Sequence, residues 1–417
     1  MKNPLSSLLR RLGPGFITGS SDDDPSGIAT YTQVGAQFGL GLLWTTVAML
    51  PLMSAVQEMS ARIGMVAGDG VTAVLRQRYS RWILWLFVSL LLVANTINIG
   101  ADLGAMADAT RLLLPSVPFA ALAIIWTLII LILEVFVTYK TYANILKWFA
   151  LCLISYVITA FLVHTDWHSV LVGALVPHFT FNRDYLLALV ALFGTTISPY
   201  MFIWQSHEEI EEEIALGRTT IEERKGATKK EIANMRQDTF VGMGFSQIIT
   251  FFIITTAAMT FFRHGMHDIQ TTAQAAQALT PLAGHFASLV FAVGIIGTGL
   301  LAVPILSASA SYAMSDAFKW NEGLYRKFRE AHGFYGIITL STLVGLLINF
   351  IGINPIKALI WTAILNGLIT PPIIAIMIAV ANNKKVMGKY TNGWLSNTLC
   401  GLTLVLTTIA SILVFVL

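Results

Sequence analysis

Long apolar segments separated by short polar stretches follow one another along almost the whole chain. Segments long enough to cross a lipid bilayer fall at residues 13–39, 40–65, 82–108, 116–138, 142–163, 184–206, 239–263, 283–317, 333–352, 355–381 and 394–416. None shows the strict alternation of apolar and polar residues that is typical of a β-barrel strand. Helices satisfy their backbone hydrogen bonds within one segment, so we predict an all-α, multi-span membrane protein. About eleven transmembrane helices would form a single domain over residues 1–417.

Composition agrees with this pattern and excludes other classes of protein. Apolar residues make up 55% of the 417 residues and charged residues only 12%, more apolar surface than a water-soluble protein of this length can bury. The two cysteines lie in apolar segments and indicate no disulfide framework. The sequence lacks Gly-x-Ser-x-Gly, His-Glu-x-x-His and nucleotide-loop motifs, so we expect no enzyme. We also expect no cofactor, no nucleic-acid partner and no obligate protein partner.

Basic residues predict how the chain is oriented. If the N-terminus is cytoplasmic, 22 of the 26 Lys and Arg residues fall on the inner side, and the outer side keeps Arg111, Arg183, Arg263 and Lys357. Cytoplasmic loops carry the excess of Lys and Arg in membrane proteins. We therefore predict a multi-pass protein of the inner cell membrane with its C-terminus outside. The N-terminal segment is no cleavable signal peptide, because Asp22-Asp23-Asp24 interrupt its apolar stretch.

Charged residues near the predicted inner face have simpler interpretations. The longest polar stretch, residues 207–238, reads as a solvated extension of the sixth helix followed by a linker, with a regulatory site as the alternative. Asp238 at its end is predicted to be the N-cap of the seventh helix. Glu58 and Arg62 lie four residues apart and are expected to form an ion pair along one helix.

Two of the predicted helices contain a break. In the first helix, Asp22-Asp23-Asp24 precede Pro25, which has no N–H, and in the sixth Gly194-Thr-Thr-Ile-Ser precede Pro199. A single proline kink is usually structural. The two breaks, however, are five spans apart, so their helices run in opposite directions, which is typical of inverted repeats with discontinuous helices. We predict one repeat at about 13–163, a second at about 184–381 and an extra helix at about 394–416.

The residues at the breaks favour a cation as the ligand. Each first half-helix ends with free carbonyls at its negative dipole end, and intramembrane carboxylates are costly unless a cation pairs with them. We expect Asp24 to be the principal ligand and Asp23 the second anion, although Asp23 can instead have a structural role. The other candidate metal ligands are the backbone oxygens of Ser21 and Thr195 and the side chains of Ser198 and Asn366. Helix packing is the alternative for Asn366 and for Thr370, one turn further on.

Several motifs resemble the Nramp family of divalent-metal transporters. They are Gly13-Pro-Gly-Phe-Ile, Asp24-Pro25, Gln57-Glu-Met-Ser-Ala-Arg-Ile-Gly and Asp102-Leu. The resemblance covers nearly the whole chain and implies the fold of amino-acid and neurotransmitter sodium symporters, with ten helices in two inverted repeats of five. The family's Asp-Pro-Gly-Asn metal motif falls on Asp24-Pro-Ser-Gly27, and its Met-Pro-His motif falls on Ser198-Pro-Tyr200.

Departures from the family pattern change the expected ion. Ser198 stands where the family has a soft methionine ligand, and Gly27 replaces an asparagine and is expected to leave space. Tyr200 and Gln205 stand where the family has histidines, and residues 333–352 contain no arginine. This pattern resembles the NRAMP-related magnesium transporter branch, which implies transport of partly hydrated Mg²⁺ or Mn²⁺ without proton coupling. The alternatives are a proton-coupled Mn²⁺/Fe²⁺ importer, a sodium-coupled organic-solute symporter and an intramembrane enzyme or sensor.

Overall fold

The computed structural model describes residues 13–137, 153–180 and 182–416, and within these ranges the chain forms helices and no strand. The first half contains α1 Pro14–Asp22, α2 Pro25–Phe38, α3 Trp44–Ala67, α4 Val71–Arg78, α5 Arg81–Arg111, α6 Phe119–Phe136, α7 Ile154–Leu162 and α8 Trp167–Leu175. The second half contains α9 Arg183–Thr196, α10 Pro199–Ala215, α11 Ile221–Arg224, α12 Lys229–Thr260, α13 Thr272–Ala276, α14 Thr280–Ala283, α15 Ala287–Phe318, α16 His332–Ile348, α17 Pro355–Ala381, α18 Lys384–Met387 and α19 Trp394–Val416.

In the described ranges, eight segments are long and apolar enough to cross a membrane. They are Arg81–Arg111, Phe119–Phe136, Arg183–Ala215, Lys229–His264, Thr272–Phe318, His332–Ile351, Pro355–Ala381 and Trp394–Val416. The predicted span 13–39 corresponds to α1 and α2, two half-helices that are each too short to cross a membrane. The predicted span 40–65 corresponds to α3, in which Gln57 and Glu58 lower the mean hydropathy. The predicted span 142–163 lies partly outside the described residues, and α7 is its described part.

Glycines allow the broken helices to pack closely against their neighbours. A Cβ on Gly19 of α1 would lie 2.2 Å from the backbone of Gly242 in α12. A Cβ on Gly194 of α9 would lie 1.9 Å from the carbonyl oxygen of Ala363 in α17. Contacts this short exclude any side chain, so backbone packs on backbone, as is common between membrane helices. These contacts fix α1 against α12 and α9 against α17.

The predicted solvated extension after the sixth helix is wrong for its first turns. Helix α10 continues to Ala215, and His207, Glu208, Glu209 and Glu213 are all buried. Charged residues are usually exposed to solvent, but here neighbouring segments pack against α10 and cover its charged side chains. The polar stretch therefore contributes to the interior of the fold.

Asp238 does not cap the seventh helix. That helix, α12, begins at Lys229 behind a capping box in which Thr228 and Glu231 each bond to the other's backbone N–H. The Asp238 carboxylate lies further along α12 and accepts hydrogen bonds from the backbone N–H groups of Gly13 at 2.9 Å and Gly15 at 2.7 Å. Asp238 thus satisfies free donors at the start of α1, a helix distant in sequence.

Candidate metal centre

Helix one breaks between α1 and α2 because Asp24 and Pro25 start a new helix. Asp24 has extended backbone angles (φ −68°, ψ 173°) and is the N-cap of α2, and its Oδ1 accepts a hydrogen bond from Gly27 N at 2.6 Å. Pro25 occupies the first helical position, where no N–H is needed. The second oxygen of Asp24 accepts a hydrogen bond from the amide of Asn98 in α5 at 3.4 Å. Local capping therefore fixes Asp24 and leaves one oxygen for the interior.

Helix six breaks between α9 and α10 at Ile197 and Ser198. Ser198 is extended (φ −78°, ψ 132°), and Pro199 begins α10 in the same way that Pro25 begins α2. The Ser198 hydroxyl lies within hydrogen-bond distance of the carbonyls of Gly194 at 2.7 Å and Thr195 at 2.9 Å. It thus covers carbonyls that the end of α9 leaves free, while its own oxygen keeps lone pairs. Both predicted breaks are confirmed as interruptions of helical structure.

Two tyrosines connect the breaks. The hydroxyl of Tyr200 in α10 donates to the backbone oxygen of Ser21 in α1 at 3.3 Å. The hydroxyl of Tyr31 in α2 lies 3.5 Å from the Thr196 hydroxyl in α9. All four residues are buried. The structure therefore brings the two interrupted segments together, as the sequence predicts, and places the Ser21 carbonyl at their junction.

Gly27 lies at a contact between the two breaks. A Cβ on this residue would lie 3.2 Å from each of three atoms: the Asp22 carbonyl oxygen, the Thr195 hydroxyl and the Tyr31 ring. The sequence suggests that glycine here leaves open space. In this conformation the space is taken by the neighbouring segments, so the absence of a side chain allows the two breaks to approach each other.

Asp22 and Asp23 face α12. Ser246 donates to Asp22 Oδ2 at 2.5 Å, and Thr250 donates to Asp23 Oδ1 at 3.4 Å. The other oxygen of each carboxylate is buried without a hydrogen-bond partner. Serine and threonine four residues apart lie on one face of a helix, so α12 presents a hydroxyl to each carboxylate.

Helix α5 adds polar groups that are absent from the predicted set of site residues. Asp102 is fully buried, neither of its oxygens has a hydrogen-bond partner, and its charge lies near enough to that of Asp24 to interact. Asn98, which donates to Asp24, was not among the predicted site residues. The available signal was the spacing of Asn95, Asn98 and Asp102, which places three polar residues along one face of an apolar helix.

The carboxylates at the centre have no positive partner among the residues that the structure describes. Asp22 and Asp23 are 0% exposed, and Asp24 is 2% exposed. In the part of the chain that the structure describes, no ion pair includes any of them or Asp102. An isolated buried charge is far more costly than a paired one, so these groups must take up protons or a cation. The arrangement is therefore chemically suited to hold a cation.

Helix α17 reaches the second break through Thr370. The Thr370 hydroxyl lies 3.1 Å from the carbonyl oxygen of Ile197 and 2.7 Å from that of Asn366. Asn366 is buried one turn earlier on the same helix. The position of α17 fits the predicted closing face of the site, and coordination of a metal by the Asn366 side chain stays a prediction.

Comparison with known proteins shows the family and the fold. A family model described as "Natural resistance-associated macrophage protein-like" (Nramp) matches residues 15–417. The Deinococcus radiodurans protein named divalent metal cation transporter MntH is 26% identical over 389 residues (91% of this chain and 84% of the relative). The Bacillus subtilis protein of the same name is 24% identical over 396 residues, which are 93% of this chain and 88% of the relative.

Solved structures agree in fold at low sequence identity. A crystal structure of the Eremococcus coleocola manganese transporter superposes with a TM-score of 0.76 at 16% identity, over 100% of this chain and 87% of that one. MHP1, a nucleobase-cation-symport-1 family transporter, superposes with a TM-score of 0.56 at 14% identity, over 97% and 92% of the two chains. This likeness confirms the predicted fold with broken first and sixth helices.

Proposed function

Because the chain belongs to the Nramp family, we propose that it moves divalent metal cations across a membrane by alternating access around its two broken helices. The observation that carries the proposal is the group of buried carboxylates, Asp22, Asp23, Asp24 and Asp102, which have no cationic partner among the described residues. A dication bound between the breaks supplies the missing charge. Relatives named as divalent metal cation transporters support the same substrate class.

The charge at the breaks favours a metal ion over an organic solute. The end of α1 offers carbonyl oxygens and carboxylates, both of which repel the carboxylate of an organic substrate. Likeness in fold to a nucleobase symporter carries no information on substrate. A sodium-coupled organic-solute symporter is therefore the weaker alternative.

We propose Mg²⁺ and Mn²⁺ as the transported ions. The groups around the breaks are carboxylate, hydroxyl, carbonyl and amide oxygens, from Asp24, Ser198, Thr195 and Asn98. Hard oxygen ligands suit Mg²⁺ and Mn²⁺, and the thioether that favours softer ions is replaced by Ser198. Mg²⁺ gives up its water reluctantly, so we propose that it passes partly hydrated after the breaks have moved apart.

We further propose that transport needs no proton coupling. Tyr200 and Gln205 stand where the family has histidines, and both are engaged in the fold: Tyr200 with Ser21 and Gln205 with Glu209 at 3.0 Å. Histidine gains and loses a proton near neutral pH, whereas the side chains of tyrosine and glutamine do not. A negative-inside potential favours inward movement of a dication by about 4–5 kcal/mol per 100 mV, which is enough to drive uptake.

A proton-coupled Mn²⁺ importer is the second candidate. The same uncompensated carboxylates can carry protons in place of the metal, and the structural neighbour is named a manganese transporter. Proteoliposomes that contain a metal indicator and a pH dye separate the two candidates. We expect Mg²⁺ and Mn²⁺ uptake driven by the potential at constant internal pH. Internal acidification in proportion to metal uptake would support the proton-coupled importer, and no uptake of either ion would contradict both.

A further inference from the structure

A second polar cluster lies at the middle of α10, about 13 Å from Ser198 along the helix axis. Nε2 of His207 lies 3.3 Å from Oδ2 of Asp316 in α15 and 3.7 Å from Oε1 of Glu322 in the following loop. One ligand atom from each of the three residues lies within 4.8 Å of the other two. The cluster therefore joins three segments: the second half of the broken helix, the end of α15 and the loop after it.

The His207 ring is held so that Nε2 points at the two carboxylates. Nδ1 lies 2.9 Å from the carbonyl oxygen of Ile203, and because a carbonyl can only accept, Nδ1 is the donor. The ring also stacks on Tyr312, with centroids 4.1 Å apart. His207 is 1% exposed, and its Nε2 has no hydrogen-bond partner. A histidine fixed through Nδ1 by a carbonyl, with Nε2 directed at two carboxylates, has the geometry of a metal ligand.

The surroundings combine acidic groups with access for an ion, and basic residues also line the cavity beside them. Asp316 is buried, and its Oδ2 also accepts a hydrogen bond from the backbone N–H of Ala73 at 3.1 Å. A cavity of about 410 Å³ adjoins the cluster, and Asp69 and Glu211 are among the acidic residues that line it. The nearby guanidinium of Arg76 bonds to the backbone carbonyl of Asp316. The cavity is large enough for a hydrated cation to reach the cluster.

We propose that His207, Asp316 and Glu322 bind a transition-metal ion such as Mn²⁺, Co²⁺ or Zn²⁺, with water completing its coordination. One imidazole and two carboxylates suit these ions, whereas Mg²⁺ prefers oxygen ligands alone. Ligands about 2.0–2.2 Å from one ion lie about 3.0–3.4 Å apart. The distance of 3.3 Å from His207 to Asp316 already fits, and the distance of 3.7 Å from His207 to Glu322 needs a shift of a few tenths of an ångström. The two clusters of the protein thus differ in donor set: oxygen at the breaks, and nitrogen with oxygen here.

Bound metal would tie the movable half-helix α10 to α15 and to residues 319–322. The distribution of basic residues predicts that this end of the bundle faces the cytoplasm. An ion that binds only the folded, closed arrangement stabilises it in proportion to its occupancy. We therefore expect Zn²⁺ to raise the melting temperature of the full chain by several degrees, and to raise it less when Glu322 is changed.

Co²⁺ binding to the purified full-length protein tests the site. The Asp24→Asn variant removes the main ligand at the breaks, and His207→Gln or Glu322→Gln is then added to it. Equilibrium dialysis counts the ions, and visible absorption of Co²⁺ reports nitrogen coordination. We expect Asp24→Asn to retain one Co²⁺, and each double variant to bind that ion at least 10-fold more weakly. Adding Glu222→Gln, an exposed carboxylate outside the cluster, leaves binding unchanged.

Two outcomes would overturn the site. In the first, Asp24→Asn binds no Co²⁺; in the second, both double variants bind Co²⁺ as well as Asp24→Asn does. In either case the cluster is an internal ion pair only. Glu322 lies partly exposed at the cavity, so Glu322→Gln should fold, and its melting temperature without metal checks this. If the unmodified protein binds Co²⁺ at this cluster but takes up neither Mg²⁺ nor Mn²⁺ into proteoliposomes, the proposed function is rejected and this site is kept.

Discussion

Two buried acidic regions of this protein differ in how their negative charge is compensated. Near one end of α3, Arg62 is 1% exposed, and its guanidinium donates to both oxygens of Glu58 at 2.9 and 3.1 Å. It also bonds to the carbonyl of Tyr390 and to Asn392, at 2.5 and 2.6 Å. Arg236 adds a second cation to Glu58 at 2.8 Å. The predicted pair of Glu58 and Arg62 is thus confirmed, and further protein groups bind both of its members.

The centre of the fold has the reverse arrangement. Asp22, Asp23, Asp24 and Asp102 are buried like Arg62. Among the described residues, however, only hydroxyl, amide and backbone donors face the first three, and neither oxygen of Asp102 has a hydrogen-bond partner. A charge that the protein itself compensates fixes structure. A charge that it leaves uncompensated needs a ligand from outside, which marks a binding site. Variants at the two regions should therefore fail in different ways.

Replacement of Asp24 should have the largest effect on transport. Asparagine keeps the N-cap to Gly27 but removes the charge, so we expect Asp24→Asn to lower Mg²⁺ and Mn²⁺ uptake into proteoliposomes at least 100-fold. The melting temperature should stay equal or rise, because an uncompensated buried charge is lost. Glu222→Gln is the matched control for loss of an exposed carboxylate. Uptake above a tenth of the wild-type rate would contradict the assigned role.

Arg62→Met should show the opposite pattern. Removing one partner of a buried pair costs about 3 kcal/mol or more of unfolding free energy, and here Arg236 leaves Glu58 partly compensated, so we expect the lower end of that range. Ion affinity of the folded protein should change less than about twofold. Denaturation and calorimetric Mn²⁺ titration measure the two quantities.

Arg236→Met provides the control for this comparison. The Arg236 side chain is 57% exposed, so its pairing with the same carboxylate should contribute less than about 1 kcal/mol. The distinction between the two regions fails if Arg62→Met weakens Mn²⁺ binding while leaving stability intact.

Gly27→Ala tests the close approach of the breaks. The added methyl group would lie 3.2 Å from atoms of Asp22, Thr195 and Tyr31, so the two segments must separate by a few tenths of an ångström. We expect uptake to fall about 10-fold, because small misplacements of a binding constellation have large effects on its function. Gly336→Ala is the control, since no heavy atom lies within 4 Å of its added Cβ. Equal uptake by both variants would show that transport does not need the close approach of the two breaks at Gly27.

Ser198→Met should have the smallest effect, a change of selectivity with transport retained. A thioether favours softer ions, so the ratio of Mn²⁺ or Cd²⁺ uptake to Mg²⁺ uptake should rise several-fold. Ser198→Ala removes the hydroxyl, and its bonds to Gly194 and Thr195, without adding sulfur. Competition between ions in proteoliposomes measures the ratio. An unchanged ratio in Ser198→Met would reject Ser198 as a ligand position.

Local sequence patterns were sufficient for the breaks. Proline after Asp24 and after Ser198 starts a helix wherever it occurs in such a context, so both interruptions could be located without any tertiary information. The partners of the site could not be located in this way. Ser246 and Thr250 reach the aspartates from α12, more than 220 residues away, and such contacts depend on how the helices pack.

The errors have two origins. Asp238 looked like a cap of its own helix because the apolar pattern begins there, whereas the capping box at Thr228 starts that helix earlier and Asp238 serves α1 instead. His207 and its acidic neighbours looked solvated because they are charged, but other segments cover them. The first error overlooked a second local signal, and in the second tertiary contacts overrode a local signal.

Anomalous X-ray scattering from crystals grown with Mn²⁺ tests the central claim most directly, because it locates the ion without assuming its ligands. The account predicts a Mn²⁺ peak within coordination distance of the Asp24 carboxylate and facing the Thr195–Ser198 segment, and loss of that peak in Asp24→Asn. A peak that persists there in Asp24→Asn, or the absence of any peak at the breaks in protein that takes up Mn²⁺ in vesicles, would contradict it.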